Sequence, residues 1–254
     1  MKKLAILLLL LFFLSSPALA APELPEQQIS IGHISDIFVV APGGELVAWG
    51  TDETNLMALC GADISRRIHP DGFSYADRMT LISGGVKAVQ GTYFGLLALM
   101  DDGTLYGFGL DFQNCFAGRA PENYSRAYAL YNNGSLYPVK IMENVASICG
   151  NFDFFTALKT DGSVWVWGAD YYSPVKVMEG CRYATQSYAI TKDGGLYCLD
   201  SGEYIFSGAF AIDGGLLQME NGDLYRFEDY LAAAELGSAP PEPIAVNVRK
   251  LCSG

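Results

Sequence analysis

Seven turn signatures recur along this chain: Gly43-Gly44, Asp71-Gly72, Asp102-Gly103, Asn133-Gly134, Asp161-Gly162, Asp193-Gly194 and Asn221-Gly222, with 28 to 32 residues from one second glycine to the next. Asn-Gly and Asp-Gly suit a two-residue hairpin turn, because both central positions need positive φ and these residues reach it at least cost. The flanks read as strands. Phe155 to Thr160 precedes one turn and Ser163 to Gly168 follows it, while Leu97 to Met100 and Thr104 to Gly109 bracket another. Such runs are rich in β-branched and aromatic residues. A further strand lies upstream in Val86 to Gly91 and in Val145 to Gly150, so the unit has about three strands. Duplication shows in Pro138-Val139-Lys140-Ile141-Met142-Glu143 and Pro174-Val175-Lys176-Val177-Met178-Glu179.

Units this small cannot bury their own apolar faces, so neighbours must stack. Radial stacking gives an all-β propeller and leaves only short outer edges. The seven turns predict seven short three-stranded blades. Two of them, at 71–72 and 133–134, lack a full strand pattern on both sides, and without them the count falls to five. Fewer, longer blades on a 59-residue spacing also fit the sequence. Closure is expected from the terminal strands. Val248 to Gly254 reads as another first strand able to complete the blade of Ile37 to Gly50, unless Ile29 to Gly32 already fills that place.

Residues 1–20 are read as a signal peptide: Lys2 and Lys3 form a basic start, Leu4 to Leu14 an apolar stretch, and Ala18-Leu19-Ala20 a small-residue cleavage site. The apolar stretch is too short to span a bilayer comfortably. Residues 21–254 then form a single propeller domain, secreted or periplasmic and not embedded in a membrane. The formal net charge of −12 weighs against nucleic acid and anionic membranes as partners. Six cysteines, at 60, 115, 149, 181, 198 and 252, permit up to three disulfides, but most sit on strand patterns where a free cysteine serves as a small apolar residue.

A strand, a glycine, a loop, an apolar strand, Asp-Gly and a strand ending in Trp-Gly follow one another from Val145 to Gly168, and in weaker form from Val86 to Gly109 and from Ile31 to Gly50. This pattern resembles the repeat of the regulator of chromosome condensation family. The resemblance implies a β-propeller, typically seven-bladed. The short spacing looks more like exported bacterial relatives, among them a propeller inhibitor of β-lactamases with three-stranded blades. The founder's nucleotide exchange on a nuclear GTPase does not carry over to an exported acidic chain.

Reactive chemistry is sparse. His33 and His69 have no partner at metal-ligand spacing, and Ser173-Pro174-Val175-Lys176 matches a penicillin-recognition motif, but the sister segment reads Tyr137-Pro138-Val139-Lys140, so the serine is incidental to a repeated strand. Asp52, Asp111 and Asp170 follow the Trp-Gly-type strands in register and read as turn caps. No catalytic residue, metal ligand or cofactor is predicted. The end opposite the Asp-Gly turns gathers loop aromatics with polar neighbours: Tyr93, Phe94, Phe112, Asn114, Phe152, Asp153, Tyr171 and Tyr172. These are the expected binding residues, as a protein hot spot or a sugar-stacking platform, unless they pack over the strand ends. The predicted function is a monomeric, non-enzymatic secreted propeller that binds an extracellular protein, as an inhibitor or surface-interaction module. The alternative is a carbohydrate-binding or glycan-active propeller.

Overall fold

A computed structural model describes residues 28–31, 37–50, 76–92, 95–109, 111, 113–119, 138–151 and 153–249. The described strands form five antiparallel sheets in chain order. The first holds β1 (Gln28–Ile31), β2 (Ile37–Val40), β3 (Leu46–Gly50) and β4 (Ala76–Ile82). The second holds β5 (Val86–Gly91), β6 (Gly95–Met100), β7 (Leu105–Gly109) and β8 (Val139–Met142). The third holds β9 (Val145–Gly150), β10 (Phe154–Lys159), β11 (Val164–Gly168) and β12 (Tyr171–Met178). The fourth holds β13 (Cys181–Ala184), β14 (Tyr188–Thr191), β15 (Leu196–Cys198) and β16 (Tyr204–Phe206). The fifth holds β17 (Ala209–Asp213), β18 (Leu216–Met219) and β19 (Leu224–Arg226), and is followed by the helix α1 (Phe227–Glu235).

Strand alternation explains how the sheets stack. In β6, Leu96 and Ala98 point into a core shared with Phe38, Val40 and Leu46 of the first sheet. Leu97 and Leu99 point the other way, into a core shared with Val145, Phe155 and Trp167 of the third. Leu158, Val164, Cys181 and Ala189 fill the space between the third and fourth sheets. Ile190, Leu196, Ala209 and Leu217 fill that between the fourth and fifth, where Phe227 of α1 joins them. One apolar layer between each consecutive pair of sheets, with the first strand of each sheet against the next, is the packing of a β-propeller.

Five Gly-Gly, Asp-Gly or Asn-Gly pairs join the second and third strands of the five sheets, one to each. The turns at 71–72 and 133–134 lie outside the described residues. Five sheets are thus seen among the described residues. Four of them carry a fourth strand beyond the expected three. The repeated segments at 138–143 and 174–179 supply two of these outer strands, in matching register: Lys140 pairs with Tyr106, and Lys176 with Trp165. In the first sheet β1 pairs with β2 and takes the place that Ile29 to Gly32 was expected to contest. Val248 donates its N–H to the Gly222 carbonyl at 2.8 Å, and its own carbonyl accepts from Gln218 Nε2 at 2.7 Å. It therefore stands where a first strand begins, while residues 250–254 lie outside the described part.

The turns are not two-residue turns. Gly103 N–H donates to the Met100 carbonyl and Met100 N–H to the Thr104 carbonyl, and the same pair of bonds recurs at Ala41, Lys159, Thr191 and Met219. Three residues therefore form each loop, and only the glycine is left-handed, as with Gly103 at φ 80° and Gly162 at φ 88°. The aspartate keeps a negative φ and earns its place through its side chain: Oδ1 of Asp102 accepts from Thr104 N–H at 2.8 Å, and Oδ1 of Asp161 from Ser163 N–H at 2.9 Å. The glycine is also needed for space. A Cβ at Gly162 would lie 2.9 Å from the Cys181 carbonyl oxygen of the next sheet.

Gly162→Ala is expected to lower the unfolding free energy by about 1–3 kcal/mol in a denaturant titration. The turn bonds hold the Asp161 carboxyl, through Ser163, and the Asp102 carboxyl, through Thr104, below their ordinary value of 3.8, and Thr191 does the same for Asp193. Such groups stabilise the fold fully above that value and lose their contribution as pH falls through the lowered folded value. Melting temperature should therefore drop below about pH 4. The triple variant Asp102→Asn, Asp161→Asn, Asp193→Asn, which keeps each acceptor oxygen, should show a flatter acid limb.

Candidate functional site

The site is built where the chain leaves β7. Three residues without the freedom of glycine, Gln113, Asn114 and Ala117, adopt left-handed φ of 54°, 54° and 57°. The coil is held from inside by Asp111, whose Oδ1 accepts from Phe116 N–H at 2.9 Å and faces Cys115 Sγ at 3.7 Å. This is the cap expected of that aspartate. Coiling drives Cys115, Phe116 and Ala117 into the core. The Phe116 ring occupies the space a Cβ on Gly107 would need, 2.2 Å away. Trp167 is fully buried beneath the coil and donates its Nε1–H to the Cys115 carbonyl at 2.9 Å, with Phe155 stacked on it at 5.8 Å. The coil then returns to the surface at Gly118 and the exposed Arg119.

Of the eight expected binding residues, Tyr93, Phe94, Phe112 and Phe152 lie outside the described residues. Asn114 is half-buried, and its carbonyl closes the coil by accepting from Ala117 N–H at 2.8 Å. Asp153 is exposed, with its backbone carbonyl taken by Ala169 N–H at 2.9 Å. Tyr171 and Tyr172 are neighbours on β12 and so face opposite ways. Tyr171 is half-buried edge-on against Phe154, 6.3 Å between rings, and borders a cavity of about 300 Å³ reaching Ser187 and Asp200 of the fourth sheet. Tyr172 is 70% exposed, and its ring lies against Gly118. The structure thus unites Tyr172 with the Asn114 coil and sets Tyr171, with Phe154, on the other side of the third sheet.

A second feature shares the Tyr172 wall. Between the second and third sheets runs a groove of about 570 Å³ lined by Arg119, Lys140, Lys159, Trp165, Ser173 and Pro174, among others. Trp165 and Trp167 project from the same face of β11, but only Trp167 is covered by the coil. Trp165 stays half-exposed, with its Nε1–H held by Ser163 Oγ at 2.9 Å and Lys159 Nζ 5.7 Å from its ring centre. Lys140 pairs with Glu143, which holds the Glu143 carboxyl below its usual range. Arg119 and Lys159 make no ion pair among the described residues. None of these groove residues was expected from the sequence to bind, because they come from the coil after β7, from β8 and from β10, β11 and β12. The signal available was the Trp165-x-Trp167 spacing, which puts both indoles on one face of a strand whose covering coil has room for one.

The described thiols, Cys115, Cys149, Cys181 and Cys198, form no disulfide. Burial pushes Cys149 up to about 12 and Cys181 up to about 11, so neither presents a thiolate at neutral pH. Both act as small apolar residues. His33, His69, Asp52, Cys60 and Cys252 lie outside the described residues.

No protein-family model matches the chain, and no curated protein matches it significantly. Solved structures do. Yeast RCC1 (Prp20), solved bound to Kap60, is similar at 18% identity and a TM-score of 0.45, over 67% of this chain and 42% of that one. Human WBSCR16 is similar at 18% identity and a TM-score of 0.47, over 72% of this chain and 49% of that one. BamB from Moraxella catarrhalis is similar at 11% identity and a TM-score of 0.39, over 79% of this chain and 60% of that one. The chain spans less than half the length of the first two, at 42% and 49%. The likeness is one of propeller fold.

Replacing the two tyrosines separately should divide their roles. Tyr171→Ala is expected to cost about 1–2 kcal/mol of stability through its contact with Phe154. Tyr172→Ala should change stability by less than about 0.5 kcal/mol, as read from denaturant midpoints.

Proposed function

We propose that the chain is an exported, non-enzymatic propeller, similar in fold to RCC1, that binds another protein through the surface around Tyr172. The observation that carries the reading is the exposure of Tyr172, at 70%, on a strand that also shows Val175 at 42% and Val177 at 37% toward its other face. At eight residues β12 is the longest described strand, and it is the outer edge of its sheet. A largely exposed aromatic on an edge strand is the kind of anchor found at the core of an interface. The Asn114 coil supports Tyr172 from below, so little side-chain freedom is lost on binding. Export is the reading given by Lys2, Lys3 and the apolar run that follows them. The site acts as an inhibitory or tethering surface rather than a reaction centre.

A photo-reactive benzoylphenylalanine at position 172, irradiated in the extracellular fluid of the producing cells, should yield a crosslinked protein. The same group at Leu236, which is 82% exposed beyond α1, should not. Equal yields at both positions, or none at 172 from a folded sample, would remove the reading. A glycan adduct at 172 would replace it with the carbohydrate alternative.

A further inference from the structure

We infer that the groove between the second and third sheets receives an extended, acidic segment of the protein partner, an inference that rests on the protein-binding reading above. The whole chain carries 16 basic side chains against 28 acidic ones. The groove reverses that balance, with Arg119, Lys140 and Lys159 against Glu143 alone among its lining residues. Glu143 is committed to Lys140, and its carboxyl is held low, so the pair stays charged and mutually satisfied at neutral pH. Arg119 and Lys159, the latter over the Trp165 ring and within the field of Asp161 and Glu143, remain without an ion pair among the described residues to meet an incoming anion. Asp102 and Asp161, which act electrostatically on Lys140 and Lys159, sit on the hairpin turns, where their Oδ1 atoms are engaged by Thr104 and Ser163 N–H.

The chemistry selects carboxylates carried on a polypeptide. Arg119 offers a planar fork suited to a carboxylate, Lys159 a point charge, and Trp165 with Pro174 an apolar wall between them. The groove runs between β8 and β12, each the outermost strand of its sheet. Outer strands carry backbone N–H and C=O groups that no neighbouring strand pairs, and these suit an extended chain better than a helix or a sugar. Tyr172 stands beside Ser173 on one wall and against Gly118, next to Arg119, on the other. A partner anchored on Tyr172 therefore leads its neighbouring residues directly into the groove.

The test uses a fluorescent ten-residue peptide of alternating Glu and Val, with its Lys-for-Glu counterpart, an oligogalacturonate and inorganic phosphate as comparison probes. Anisotropy should show saturable binding of the Glu peptide by the full chain, weakening as salt rises from about 50 to 500 mM. Arg119→Glu with Lys159→Glu should reduce it at least about tenfold, and Lys192→Glu, on a turn of the fourth sheet, should leave it unchanged. If the double reversal does not fold, by circular dichroism and melting, Arg119→Gln with Lys159→Gln takes its place with a smaller loss expected. No saturable binding, equal binding of the Lys peptide, tighter binding of the oligogalacturonate or of phosphate, or no effect of the groove variants would each overturn the inference. The two readings fail separately. A protein crosslink at position 172 that survives the double reversal removes the acidic segment and keeps the protein partner, whereas loss of that crosslink together with Glu-peptide binding supports both.

Discussion

A hydrogen bond from one sheet's first amide to the previous sheet's turn glycine is the contact on which the rest of this structure depends. Val86 donates to Gly44 at 3.0 Å, Val145 to Gly103 at 2.9 Å, Cys181 to Gly162 at 2.9 Å, Ala209 to Gly194 at 3.1 Å and Val248 to Gly222 at 2.8 Å. Each bond fixes the tip of one hairpin against the root of the next innermost strand. The spacing between consecutive sheets follows, and with it the apolar layers and the grooves. Being a backbone contact, it constrains only the glycine, through its left-handed φ and its missing Cβ. A cation on the second residue reinforces it in two places: Lys87 Nζ reaches the Ala146 carbonyl at 2.7 Å, and Arg182 reaches that of Phe210 at 3.0 Å.

That economy explains which parts of the fold were legible. Glycines required at a fixed point in each unit leave a periodic mark, and the five turns seen were all placed by it. Their type was not. An Asp-Gly pair serves a two-residue turn and a three-residue loop alike, and only the pairing of Met100 with Thr104, rather than the residue identities, distinguishes them. The outer strands were underread for a different reason. A strand announces itself by alternation when one face is buried, but β12 is exposed or half-exposed throughout, so its pattern has no period of two to detect. Pro138 stands just before β8 and Pro174 within β12, as an outer strand tolerates.

The candidate site was legible as an exposed tyrosine and illegible as a groove. Tyr171 and Tyr172 read as one aromatic patch only while they are thought to lie in a loop; on a strand, adjacent residues part company. Phe116, which the sequence reading passed over, became the residue that seals the coil. The cations show the opposite failure. Sequence reveals a basic patch when its members are adjacent, whereas Arg119, Lys140 and Lys159 are made neighbours by the stacking of two sheets.

The duplicated outer strands show how such a scaffold acquires selectivity. Lys140–Glu143 and Lys176–Glu179 are the same ion pair on the same strand of successive sheets, each lysine set opposite an aromatic residue in register. Yet the spaces on the two sides of the third sheet differ in sign. Toward the second sheet lie Arg119, Lys140 and Lys159; toward the fourth lie Asp170 and Asp200, with no cation among the residues bordering that cavity. Sheets packed face to face stand about 10 Å apart, close to the screening length at physiological salt. The rim therefore presents two opposed local fields rather than the uniform field of an acidic protein. Apart from the lysine that the two outer strands share, the difference comes from Arg119 in the coil after β7, Lys159 at the end of β10, Asp170 between β11 and β12 and Asp200 after β15.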